Sequence, residues 1–160
     1  MIKLLFTGGG SGGHIYPLIA IIREVKKRYP KDLPQLNLYY LGPHSSSLSL
    51  LKKEGVIVNT ILSGKLRRYI TPSSVFQNIL DICIKLPFGF LQSLWYLWSI
   101  KPHLIFSKGG YGSIPVIFAA KIFKIPLLIH ESDISPGLST RIAANFAKKI
   151  FVSFPDTRNL

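Results

Sequence analysis

Acidic residues are scarce in this sequence: seven Asp and Glu stand against twenty Lys and Arg, a formal net charge of +13, and between Glu54 and Glu131 the only acid is Asp81. The middle third, with Lys65, Arg67, Arg68, Lys85, Lys101, Lys108, Lys121 and Lys124, is therefore expected to face something anionic. On charge alone a nucleic acid, an anionic membrane surface and a phosphorylated substrate all qualify. Cysteine is also nearly absent. Cys83 alone excludes a disulfide framework, fits a reducing compartment, and reads as a small buried hydrophobe. No secretory leader is expected, because MIKLLF runs straight into a glycine loop and is too short for a signal core, which points to the cytoplasm. There is neither an internal repeat nor a low-complexity tract. With 48% hydrophobic residues over 160 positions, the chain suits one globular domain with a sizeable core, or one domain of something larger.

What is present in quantity is glycine at two places. GGGSGGH, Gly8 to His14, and KGGYG, Lys108 to Gly112, each follow an apolar run and precede a helical pattern. Glycine reaches positive φ without a Cβ penalty, so such turns can aim several N–H groups one way, and a helix start behind them favours phosphate. Gly8, Gly10 and Gly13 satisfy G-x-G-x-x-G, yet the strand LNLYYLGP, Leu36 to Pro43, ends without the acid that would bind a ribose, so a dinucleotide site is not supported. Nor is this a P-loop, since His14 and Ile15 stand where Lys and Ser or Thr would be required.

Periodicity and punctuation order the elements. Strands are expected at Ile2 to Phe6, Leu36 to Leu41, Val56 to Leu62, His103 to Phe106, Pro126 to His130 and Lys149 to Ser153. Helices are expected from about Pro17, at Ser47 to Glu54, Ser113 to Phe123 and Gly137 to Ala147, with two more near Ser73 to Leu86 and Phe88 to Ser99 separated by Pro87. Alternating β and α with apolar strands predicts an α/β, Rossmann-like, doubly wound parallel sheet. Both glycine loops then lie at the carboxyl ends of strands, where such sheets bind ligands.

The segment LPFGFLQSLWYLWSI, Leu86 to Ile100, has fifteen residues without a charge, short of the ~20 needed to span a bilayer. On a helix Phe88, Leu91, Trp95 and Trp98 form one apolar stripe, and Phe90, Leu94 and Leu97 form another. One stripe can pack on the sheet while the other seeks a partner. With Trp at its tip and Arg67, Arg68 and Lys85 alongside, the free stripe reads as a monotopic contact with an anionic membrane surface. A helix buried on both sides is the alternative. No nucleic-acid partner is expected, since the aromatics gather in one apolar helix instead of interleaving with Arg and Lys.

A third polar element, HESDISPGLSTR, His130 to Arg141, closes the fifth strand and opens the next helix. Its Glu131 and Asp133 are site candidates, or else a helix cap or partners of Arg141. Taken together, GGGSGGHIYP, FSKGGYGSIPVIFAAKIFKIPLLIHESDISPGLSTRIA and IFVSFP resemble the amino-terminal domain of the MurG family, glycosyltransferase family 28, over essentially the whole chain.

That resemblance implies the amino-terminal half of a two-domain GT-B glycosyltransferase that moves N-acetylglucosamine from UDP-N-acetylglucosamine to the polyprenyl-diphosphate acceptor lipid I, giving lipid II. Residues 1–160 would be the acceptor- and membrane-binding domain, peripheral on the cytoplasmic face, with the carboxyl-terminal donor-binding domain absent from this chain. It implies acceptor-diphosphate contacts at Gly9, Gly10, Lys108, Gly109, Gly110 and Tyr111, and donor contacts at Ser11, Gly12, Gly13 and Asp133. His14 is implied as catalytic base or diphosphate-positioning residue, with Glu131 beside it. Neither a metal nor a cofactor is implied. Where the family motif reads H-E-Q-N, this chain has His130, Glu131, Ser132 and Asp133, and an ionised Asp accepts hydrogen bonds without donating them. An alternative reading is a non-catalytic membrane-anchoring acceptor subunit that recruits a separate donor-binding subunit and acts on another polyprenyl-diphosphate sugar.

Overall fold

The computed structural model describes residues 1–30, 34–65, 67 and 71–158. Six short apolar runs form a single parallel sheet of order β3-β2-β1-β4-β5-β6, from β1 (Ile2–Thr7), β2 (Leu36–Gly42), β3 (Ile57–Thr60), β4 (Leu104–Ser107), β5 (Leu127–Glu131) and β6 (Lys149–Val152). The register pairs Phe6 with Tyr40 on one side and with Phe106 on the other. The chain winds outward from β1 to β3, then crosses back to place β4 against the free side of β1. The crevice between the carboxyl ends of β1 and β4 is therefore the switch point at which doubly wound sheets bind ligands.

Two apolar clusters hold the layers. Phe6, Ile15, Leu18, Ile22, Tyr40 and Leu51 join α1 (Gly12–Arg28) and α2 (Leu48–Lys53) to one face. Leu5, Ile105, Ile117, Ile129, Leu97 and Ala143 join α4 (Leu86–Ile100), α5 (Ile114–Ile122) and α6 (Leu138–Ala144) to the other. Each fully buried aliphatic side chain contributes about 1.5–3 kcal/mol against its exposed state.

Three local expectations are corrected. Helix α1 begins at Gly12, five residues before Pro17, because Ser11 takes the extended N-cap conformation at φ −101°, ψ 157°. His14 thus lies in the first turn of a helix. The second correction concerns Pro87, which does not separate two helices. Helix α3 (Pro72–Leu80), a π-turn (Asp81–Lys85) and α4 run as one continuous rod from Pro72 to Ile100. Proline lacks an N–H and its ring crowds the carbonyl four residues earlier. The π-turn absorbs both problems by shifting register, so that the Leu86 N–H bonds the Asp81 carbonyl.

The rod's two apolar faces separate as their spacing predicts. Phe88, Leu91, Trp95 and Trp98 stand about 60% exposed, whereas Leu97 is buried and Phe90 and Leu94 pack on the core. The exposed stripe continues upstream through Phe76, Ile79 and Ile84. By length and composition the 29-residue rod is long and apolar enough to cross a membrane, which the uncharged run alone is not. Its opposite side is occupied, however, with Gly89, Ser93, Leu97 and Ile100 buried against the domain. Cys83 is exposed on the π-turn, correcting the expectation of a buried thiol. Of the predicted basic residues beside the stripe, Arg68 lies outside the described residues.

Candidate active-site cleft

The two glycine loops meet at the switch point. The Lys108 N–H donates to the Thr7 carbonyl at 2.9 Å, tying the second loop to the end of β1. Gly109 and Gly110 hold φ of +80° and +84°, the left-handed region that favours glycine. A Cβ on Gly110 would stand 2.8 Å from both Gly9 Cα and His14 Nε2, and a Cβ on Gly9 would stand 2.5 Å from His14 Cδ2. The absence of side chains at these positions is what lets the His14 imidazole lie between the loops.

A cleft of about 350 Å³ opens here, lined by Gly13, His14, Lys108, Gly110, Glu131, Ser132, Asp133, Gly137, Ser139 and Thr140. Of the first loop, Gly13 and His14 line it, with Ser11 and Gly12 just before them in the chain. Ser11 makes no side-chain cap bond, and the first-turn amides of Gly12 and Gly13 have no acceptor within the helix. No acid occupies that first turn, so the positive end of the α1 dipole is uncompensated. The second loop contributes differently than its glycines imply. The Gly109 N–H is held by Ser107 Oγ at 3.1 Å and the Gly110 N–H by Ser139 Oγ at 2.8 Å, so these two amides are engaged. What that loop offers an anion is the Lys108 ammonium, whose described hydrogen bond is to Ser132 Oγ at 2.9 Å, together with Tyr111. The Tyr111 hydroxyl lies over the first loop, 3.0 Å from where a Cβ on Gly10 would be.

Burial, and after it the Lys108 charge, lowers the pKa of His14 below its ordinary 6.5; the Lys108 carbonyl and the carboxylates of Glu131 and Asp133 oppose this without prevailing. The imidazole is therefore neutral at pH 7, the form that accepts a proton. Burial and Lys108 likewise lower His130, which faces Ser153 Oγ at 3.3 Å. Glu131 is buried and has its oxygens occupied. Oε1 accepts from the amides of Ser132 at 2.8 Å and Asp133 at 3.0 Å, and Oε2 from Gly137 at 3.3 Å. Burial pushes its carboxyl up, but the Thr140 hydroxyl and these amides outweigh that and leave it below the usual range. A carboxylate so occupied organises the 131–137 turn and is a poor proton acceptor. Neither Glu131 nor Asp133 pairs with Arg141, whose described bond is to the Pro136 carbonyl. Asp133 is exposed at the mouth, its own carbonyl accepting from Thr157 Oγ1 at 3.0 Å.

The residues that wire this cleft and that had no role from sequence alone are hydroxyls: Ser107, Ser132, Ser139 and Thr140. They lie within the motif segments themselves, and the register of β4 against β5 brings them together. Among the described residues no group of three or more His, Cys, Asp and Glu could hold a metal ion.

Comparison with known proteins follows the same outline. At the level of single proteins the chain is 39% identical over 157 residues to "UDP-N-acetylglucosamine--N-acetylmuramyl-(pentapeptide) pyrophosphoryl-undecaprenol N-acetylglucosamine transferase 2" of Bacillus cereus (strain ATCC 10987 / NRS 248), covering 98% of this chain and 42% of that protein. It is 38% identical over 171 residues to the transferase of the same description, without the numeral, from Treponema denticola, with 98% and 40% covered. The chain thus spans about two fifths of the length of these relatives. Among solved structures it superposes on Acinetobacter baumannii MurG with a TM-score of 0.74 at 22% identity, covering 98% of this chain and 42% of that one. It also superposes on Neisseria meningitidis UDP-GlcNAc 2-epimerase bound to UDP-GlcNAc, with a TM-score of 0.66 at 16% identity and 99% and 42% covered. At such identities these likenesses speak for the fold alone, which an epimerase shares. The family assignment comes from a model of the "Glycosyltransferase family 28 N-terminal domain" that matches residues 4–152, from the first strand through the last and across both glycine loops, and the chain accordingly belongs to glycosyltransferase family 28.

Proposed function

We propose that this chain is the acceptor- and membrane-facing half of an inverting hexosyltransferase that transfers N-acetylglucosamine from UDP-N-acetylglucosamine to undecaprenyl-diphosphate-MurNAc-pentapeptide, lipid I, giving lipid II for peptidoglycan. The observation that carries this reading is the convergence of an uncompensated helix start, a buried lysine and a neutral histidine on one cleft. A membrane-suited apolar helix belongs to the same domain. The substrates are those printed in the names of the relatives.

In this reading the acceptor diphosphate is held by the first-loop amides at Gly9 and Gly10 with Lys108 and Tyr111 opposite, Gly109 and Gly110 giving the close approach. His14 takes the proton of the attacking acceptor hydroxyl as the bond to the anomeric carbon forms and UDP departs. Ser11, Gly12, Gly13 and Asp133 face the donor, which a second, carboxyl-terminal domain would bind. Glu131 positions the 131–137 turn and does not exchange protons. The exposed stripe with Arg67 and Lys85 rests on an anionic membrane surface, placing the protein peripherally on its cytoplasmic face.

The test is transfer. This chain is fused to the carboxyl-terminal half of the Bacillus cereus relative and given lipid I with labelled UDP-N-acetylglucosamine. Label is expected in lipid II and is expected to be lost in the His14→Ala fusion. Labelled product of equal amount from both would remove His14 from the chemistry. Specific binding of the lipid-linked acceptor with no transfer from any fusion would favour the non-catalytic subunit.

A further inference from the structure

The only acid between Glu54 and Glu131 is not on the surface. Asp81 sits at the start of the π-turn and is 2% exposed. Its Oδ2 accepts from Arg67 Nη1 at 2.8 Å and from the Lys65 N–H at 3.1 Å, and its Oδ1 meets Lys85 Nζ at 2.5 Å. Around it the segment after β3 is strapped lengthwise along the rod. The Leu62 N–H donates to Gln92 Oε1 at 2.8 Å, and Gly89 lies so close that a Cβ there would stand 1.8 Å from the Leu62 carbonyl oxygen. Gly64 packs on the Asp81 backbone, where its Cβ would be 2.4 Å from the Asp81 oxygen. Asn78 then clasps Arg67 twice, accepting from its N–H at 2.9 Å and donating to its carbonyl at 3.0 Å.

A buried carboxylate with two cations is weak evidence for stability, since desolvating the charges offsets much of their attraction. Its effect on geometry is plainer. Arg67 and Lys85 are held by opposite oxygens of one carboxylate, remain 26% and 47% exposed, and keep further N–H donors unspent. In sequence Lys85 falls between Ile84 and Phe88, both exposed.

We infer that Asp81 is a positioning residue for the anionic-surface contact: it fixes Arg67 and Lys85 as a preset pair of cations beside the apolar stripe and pins the strap that carries Arg67. The inference rests on the membrane-facing reading above, and the occupant of the pair is a lipid phosphate. Two long cationic side chains that are already ordered lose less freedom on meeting a phosphate than free ones do.

The sign of one substitution separates this from simple charge attraction. Asp81→Asn raises the net charge by one, so general electrostatics predicts tighter binding to anionic membranes. Positioning predicts weaker binding. Each cation near an anionic surface contributes enough for roughly a fivefold change, so losing one or both from register gives about five- to thirtyfold. Co-sedimentation with phosphatidylglycerol and phosphatidylcholine vesicles across a salt series is the assay. Asp81→Asn is expected to bind these vesicles more weakly and with a shallower salt dependence, while its binding to pure phosphatidylcholine stays unchanged. Equal or tighter binding of Asp81→Asn to the anionic vesicles overturns the proposal. Should Asp81→Asn fail to fold by circular dichroism, Asn78→Ala, which unclasps the strap at constant charge, decides on the same criterion. If the unsubstituted chain itself ignores anionic vesicles, the membrane reading fails and takes this inference with it; loss confined to the variants leaves that reading intact.

Discussion

Replacing Gly110 by alanine tests the meeting of the two glycine loops. At φ +84°, ψ 161° an alanine enters a positive-φ region that glycine almost alone occupies, at a cost of about 1–3 kcal/mol. Its Cβ would also stand 2.8 Å from Gly9 Cα and 2.9 Å from Gly9 N, backbone atoms that cannot swing aside, and 2.8 Å from His14 Nε2. Overpacking of that kind costs about 1–3 kcal/mol more. The sum is about 2–6 kcal/mol, or roughly 4–24 °C in Tm for a domain of this size. Gly137→Ala is the comparison: nothing lies within 4 Å of its Cβ and its φ is −68°, so only the poorer N-cap of α6 is felt and the cost is expected to stay within about 1 kcal/mol. Urea unfolding followed by circular dichroism reads both. A Gly110→Ala cost below about 1 kcal/mol would refute the close packing of the loops, and with it the placement of His14 between them.

The lowered pKa of His14 makes stability depend on pH. The folded state declines a proton that the unfolded chain accepts near pH 6.5, so stability is expected to fall as pH drops below that value; His130 acts in the same direction. Imidazole titration by NMR, with His14→Gln removing its share of the slope, checks this. Glu131→Gln exchanges one acceptor oxygen for an NH₂ among amide donors and is expected to cost about 1–3 kcal/mol, read by thermal unfolding. Glu131 also contributes stability that is present above its ordinary pKa and lost as pH falls through its lowered one, so the cost should shrink in acid. Trp95→Ser with Trp98→Ser, two side chains 60% and 63% exposed, should loosen vesicle binding and leave the unfolding midpoint in place. Unfolding of that double variant would mean the stripe is core.

Much of this was legible because the governing physics is local. Apolar runs of four to seven residues separated by helical patterns specify a parallel sheet, and glycines directly after the first and fourth strands put both loops on the carboxyl edge. The two stripes of α4 separated as their spacing requires. What stayed hidden depends on contacts distant in sequence. Pro87 breaks a helix by local rules, yet Gly89, Ser93 and Leu97 packing against the domain keeps the rod continuous and the π-turn takes up the mismatch. In the sequence Asp81 is only the sole acid of a basic stretch; the strap that folds over it shows its role. Gly109 and Gly110 suggest open amides, and only the pairing of β4 with β5 brings the seryl hydroxyl of α6 that occupies one of them.

The measurement that most directly tests an acceptor-binding half is co-sedimentation of the chain with anionic vesicles, with and without a polyprenyl-diphosphate-linked sugar, across a salt series. The account predicts binding that weakens with salt, strengthens when the lipid-linked sugar is present, and loses that gain in Lys108→Met. Binding indifferent to the lipid-linked sugar at every salt concentration would contradict it.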